Sequence, residues 1–171
     1  MAGVGLLGLP SAGLASSPSI DAKLLPDVVR AYKGKTVVTH FWASWCGPCH
    51  QVFPILNGLA KDYPAGLRVL GISIDSDKAR LERWLADNPS KWIDYHVGAD
   101  TREIGRQMGE LGVKFGGGIP FTAFFNEKGS VIGQLKGAHD ASSYARYVPE
   151  TAKALTPGNW IVGPDGQLIP Q

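Results

Sequence analysis

The sequence predicts an α/β fold, and three observations point to it. Two apolar runs, Val37–Trp42 and Leu67–Ile74, read as buried strands, the first with both faces largely apolar as in a strand covered on both sides. Each is followed by a segment with helical spacing of its apolar residues. A third run, Phe121–Phe125, joins Ser130–Leu135 across Asn126-Glu127-Lys128-Gly129 and reads as a hairpin.

Taken in order, Leu24, Leu25, Val28, Val29 and Tyr32 space as a short helix that Gly34 stops. A strand over Lys35–Trp42 runs into a turn, and a helix starts at Cys46, continues to Tyr63 and buries Phe53, Leu56, Leu59, Ala60 and Tyr63. Pro54 removes one bond of that helix and predicts a kink. After the second strand, Asp75-Ser76-Asp77 forms a capping cluster for a helix over Lys78–Ala86, which Asn88-Pro89 ends. Ile93–Val97 is a short extended piece. Thr101 is expected to cap a helix over Arg102–Leu111, with Gly112 as its stop. Beyond the hairpin, Asp140 caps a last helix, Ala141–Leu155, with a break expected at Pro149. The tail, Trp160–Ile169, sets a Pro164-Asp165-Gly166 turn between two apolar runs and suggests an added hairpin. The expected division is a leader over 1–19, one domain over 20–156 and a tail over 157–171.

The chain has 171 residues, 44% hydrophobic and 19% charged, which describes a folded domain with a real core. Seventeen basic residues stand against 15 acidic ones, spread along the chain with no basic stripe, so nucleic acid is not an expected partner. Met1–Ser17 has an apolar centre followed by Gly13-Leu14-Ala15, the look of an export signal without its basic start. It is too short to span a membrane. The expectation is the remnant of an export signal or membrane tether, which places the chain in the periplasm or on the outer face of the cytoplasmic membrane, where disulfides form.

Chemistry is concentrated at Cys46 and Cys49, the two cysteines of the sequence. Two cysteines make no disulfide framework for a chain of this length, so the pair is catalytic, metal-binding or haem-binding. A cysteine at the start of a helix meets unpaired N–H groups and the positive end of the macrodipole, which favour its thiolate. Cys49, one turn further in, can attack a mixed disulfide from the inside. Gly47 and Pro48 fall in the first turn, where a missing N–H costs nothing. The implied reaction is thiol–disulfide exchange.

Phe41-Trp42-Ala43-Ser44-Trp45-Cys46-Gly47-Pro48-Cys49 resembles the active-site segment of the thioredoxins. Pro54 resembles the proline that kinks the helix after that motif, and Ile119-Pro120 resembles the cis-proline loop that faces the two sulfurs. The resemblance covers 28–155. It implies a mixed central sheet flanked by helices and catalytic Cys46 and Cys49, supported by Trp45, Gly47, Pro48, Ile119 and Pro120, with no metal and no cofactor. Trp42 reads as core and Trp45 as a half-exposed platform beside the thiols. Between Cys49 and Pro120 lie 70 residues, and the surplus over Lys78–Gly112 resembles the inserted segment of the TlpA/ResA-like branch. That branch implies protein substrates, such as apocytochrome c thiols or copper-centre assembly proteins, and a membrane electron donor of the DsbD/CcdA kind. Val52 departs from the branch, which tends to carry a glutamate there.

His40 stands where thioredoxins place a buried acid behind the second cysteine. Two readings are open: a satisfied core histidine, or a group that moves the proton of Cys49 during resolution. His96 and His139 have no evident partner. Other readings of the cysteine pair are an oxidant or isomerase of the same fold, a binding module that does not turn over, and c-type haem attachment. In the last, Cys46-Gly47-Pro48-Cys49-His50 would bind the haem, with His50 and Met108 as axial ligands.

Overall fold

β1 (Thr36–Trp42) is buried at every position and forms the middle of a five-stranded sheet. The computed structural model describes residues 17–154, 160–162 and 168–170. β1 pairs in parallel with β2 (Leu67–Ser73), which pairs in parallel with β3 (Ile93–His96). On its other side β1 pairs antiparallel with β4 (Phe121–Phe125), and β4 with β5 (Val131–Lys136). The order β3-β2-β1-β4-β5 is therefore a mixed sheet, as expected.

Helices cover both faces because β1 alternates two sets of apolar residues. Val37 and Phe41 enter a cluster with Leu25 and Val29 of α1 (Leu25–Arg30) and Ile104 and Met108 of α4 (Thr101–Gly109). Val38 packs on the opposite side with Val52, Leu56 and Leu59 of α2 (Gly47–Asp62) and with Tyr144 of α5 (Ala141–Ala145). Burying each such side chain contributes about 1.5–3 kcal/mol. Pro54 lies inside α2, and Trp42 meets Phe53 edge-on at 4.6 Å near the top of β1.

The surplus segment folds as α3 (Lys78–Asp87), β3 and α4, so the insertion supplies an edge strand as well as helices. Two capping expectations change. Asp77 alone caps α3, and Asp100, not Thr101, caps α4 by accepting from the Glu103 N–H. Asp75 faces elsewhere, as described below. The expected helix over Ala141–Leu155 is two short ones, α5 and α6 (Glu150–Ala154), separated around Pro149, which cannot donate a helical N–H. His96 has partners after all: Nδ1 lies 3.2 Å from the Ser19 hydroxyl and Nε2 lies 2.9 Å from the Asp75 carbonyl. The backbone of Pro18, Ser19 and Ile20 runs along β3 at His96. In the tail, β6 (Trp160–Val162) and β7 (Leu168–Pro170) pair antiparallel. Of the expected leader over 1–19, residues 1–16 lie outside the described residues.

Candidate active site

A strand that ends at Trp42 and a helix that begins at Gly47 leave a four-residue loop, Ala43–Cys46, at the C-terminal edge of the sheet. Cys46 is the residue before the helix, in extended conformation, and Gly47 and Pro48 occupy the first turn. Cys49 comes round to it after one turn. The two sulfurs are bonded to each other at 2.07 Å, with Cα atoms 5.3 Å apart. Cys46 is 5% exposed and Cys49 fully buried, so solvent reaches the pair from the Cys46 side. Trp45 stands 51% exposed beside it, while Trp42 is sealed beneath.

Asp75 holds the loop. Its carboxylate accepts from the Ser44 N–H at 2.9 Å, from the Ser44 hydroxyl and from the Ser73 hydroxyl at 2.8 Å. The ring of His50 closes the other end: Nε2 lies 3.0 Å from the Ser44 carbonyl, and the ring stacks on Trp84 at 4.6 Å. Neither role was legible beforehand, because Ser44 and Asp75 are 31 residues apart and Asp75 has the look of a helix cap.

The Ile119–Pro120 peptide bond is cis, as the resemblance implied. Ile119 packs against the cluster that contains both cysteines. Beside the bond runs a cleft of about 330 Å³, lined by Gly116, Gly118, Ile119, Pro120, Phe121 and Lys136. The glycine run thus supplies its floor rather than a helix start.

His40 is fully buried on the α2 face of β1. Its Nδ1 lies 3.2 Å from the Thr122 hydroxyl, its ring meets Phe53 edge-on, and its Nε2 has no hydrogen-bond partner. Burial pulls its pKa down to about 3, so the ring is neutral at ordinary pH. A further buried titratable group, Asp94 on β3, has no signal in the sequence. It accepts from the indole N–H groups of Trp42 and Trp92, both at 3.0 Å, and from the Ser90 hydroxyl.

The haem alternative fits this geometry poorly. The Nε2 of His50, which an iron would need, is taken by the Ser44 carbonyl, and Met108 is buried in α4 against α1.

A parallel-then-antiparallel sheet, a bonded cysteine pair at a helix start and a cis-proline loop define a thioredoxin-fold protein. The chain belongs to the AhpC/TSA family, whose model matches residues 26–169. It is 31% identical to the thiol:disulfide interchange protein HelX of Rhodobacter capsulatus over 124 residues, 72% of this chain and 60% of that one. It is 28% identical over 132 residues to the thiol-disulfide oxidoreductase ResA of Bacillus thuringiensis, 75% of this chain and 68% of that one. The crystal structure of a thiol:disulfide interchange protein of the thioredoxin family from Chlorobium tepidum superposes with TM-score 0.58 at 23% identity. The match covers 72% of this chain and 83% of that one, and shows the shared fold. The chain spans about half the length of the first curated relatives it matches.

Proposed function

We propose that the chain is a thiol–disulfide oxidoreductase that reduces disulfides in protein substrates. The observation that carries the reading is the difference between the two sulfurs: Cys46 lies at the edge of solvent on a helix N-terminus, and Cys49 is sealed behind it. In the reduced protein the Cys46 thiolate attacks one sulfur of a substrate disulfide, and the other sulfur leaves as a thiolate that takes a proton. Cys49 then gives up its proton and attacks Cys46, closing the bond seen in the structure and releasing the second substrate thiol. Two electrons and two protons pass to the substrate.

Trp45, Gly47, Pro48, Ile119 and Pro120 shape the approach, with the cleft beside Pro120 as the place for the substrate backbone. His40 takes the proton of Cys49 during resolution: it is an uncharged acceptor whose Nε2 is unclaimed, on the sheet face that α2 covers. The negative charge that forms on Cys49 in that step would favour the protonated ring. The Gly47-Pro48 pair is that of thioredoxin, whose potential of about −270 mV makes it a reductant.

On this reading, which follows the resemblance to the TlpA/ResA-like branch, the chain works outside the cytoplasm and a membrane electron donor of the DsbD/CcdA kind restores the dithiol. Among the described residues no helix is long and apolar enough to cross a membrane. Insulin reduction with dithiothreitol as donor tests the activity. The wild type should accelerate it and Cys46→Ser should not; equal rates would refute the reading. Equilibration with glutathione separates reductant from oxidant or isomerase.

A further inference from the structure

Asp94 is a buried carboxyl that the exchange reaction does not use. It is 5% exposed, and its Oδ1 takes two indole N–H bonds while Oδ2 takes the Ser90 hydroxyl. Space for this comes from Gly71 on the neighbouring strand. A Cβ at Gly71 would fall 1.9 Å from Asp94 Oδ1 and 2.9 Å from Trp92 Nε1. Burial pushes the Asp94 carboxyl up to about 6, against the pull of its three hydrogen bonds. A cleft of about 130 Å³, lined by Ser17, Leu85, Ser90, Trp92 and Asp94, gives protons a way in.

The cluster can hold either protonation state. As a carboxylate it accepts three bonds, two of them from the indoles. When Oδ2 gains a proton it can donate to Ser90, whose own hydroxyl already has a second acceptor, the Trp92 carbonyl at 3.1 Å. From the cluster, contacts run to the segments that flank the two cysteines. Trp42 directly precedes the Ala43–Cys46 loop and tilts against Trp84 at 5.1 Å. Trp84 stacks on His50, which follows Cys49 and is tied to the Ser44 carbonyl.

We propose that Asp94 is a positioning residue for the dithiol: it holds Trp42 beneath the redox loop, and gain or loss of its proton changes how fast Cys46 and Cys49 exchange. This rests on the thiol–disulfide reading above. The groups that face Asp94 are Trp42 from β1, Gly71 from β2, Leu85 from α3 and Ser90 and Trp92 from the connection before β3, none of them charged. His40 lies further along the same row of the sheet and is neutral. Tyr95 and His96 follow Asp94 on β3, and His96 is tied to Ser19 and the Asp75 carbonyl.

The test is the rate of the reduced protein with oxidised glutathione across weakly acid to neutral pH. For the wild type, an inflection near the Asp94 titration should appear on top of the rise from thiolate formation. Asp94→Asn, a mimic of the neutral acid, should lack it, matching the wild type at the acid end and differing by about threefold at neutral pH. Trp42→Phe keeps Asp94 but removes the indole N–H, and should also lose the inflection. A wild-type profile without the inflection overturns the proposal whatever the variants do. So does Asp94→Asn running parallel to wild type, or Trp42→Phe retaining the inflection. If the wild type reduces neither glutathione disulfide nor insulin, the oxidoreductase reading itself falls, and this inference with it.

Discussion

His40 and Asp94 occupy one row of the sheet, two strands apart, with Gly71 as the residue between them. Residues in register on neighbouring strands project to the same face, so two buried titratable groups share a layer with no side chain separating them. They are perturbed in opposite senses by the same cause, loss of water.

Their effects on stability should therefore cancel over part of the acid range. Unfolded His40 binds a proton below its ordinary value of 6.5 but the folded ring does so only near 3, so it makes stability rise with pH in that window. Folded Asp94 keeps its proton up to about 6, whereas the unfolded acid loses it near 3.8, so it makes stability fall as pH rises between those values. Each slope is about 1.4 kcal/mol per pH unit. Between roughly pH 4 and 6 the two offset each other. Urea unfolding of Asp94→Asn should show stability rising by about 2–3 kcal/mol over that interval, and His40→Leu should show the reverse. Identical slopes in the two variants would show that these groups do not govern the profile.

Gly71→Ala places a methyl group on the Asp94 carboxyl. The expected loss is about 1–3 kcal/mol of stability. Combining it with Asp94→Ala should restore part of that loss, giving a coupling that a double-mutant cycle measures. Additive losses would mean that the clash relaxes elsewhere.

Asp75→Ala strips the acceptor from the Ser44 N–H, the Ser44 hydroxyl and the Ser73 hydroxyl. Stability should drop by about 1–3 kcal/mol, and insulin reduction should slow because the loop before Cys46 loses its anchor. Asp75→Asn, which keeps an acceptor oxygen, should be milder on both measures.

The two thiols of the reduced protein should titrate apart. Cys46, on the helix N-terminus, should form its thiolate below the ordinary value of about 8.5, and buried Cys49 above it. Ultraviolet absorbance of the thiolate in single-cysteine variants reads this directly. Cys49→Ser should accumulate mixed disulfides with substrate that Cys46→Ser does not form. His40→Ala should slow release of the mixed disulfide while leaving its formation near the wild-type rate.

What the amino-acid order determined by itself is local: the buried strands, the helix that starts after Cys46, the hairpin, and the cysteine pair close enough to bond. These follow from short-range rules of apolar period, turn chemistry and helix ends, which need no partner from elsewhere in the chain. Only the tertiary structure decided that Asp75 serves Ser44 rather than a helix, that His96 is held, and that Gly71 clears room for Asp94 under Trp42. Those contacts join residues from 21 to 52 or more positions apart, and a lone aspartate or glycine has no periodicity to announce them. Register between strands, which packing of the whole sheet sets, puts such residues side by side.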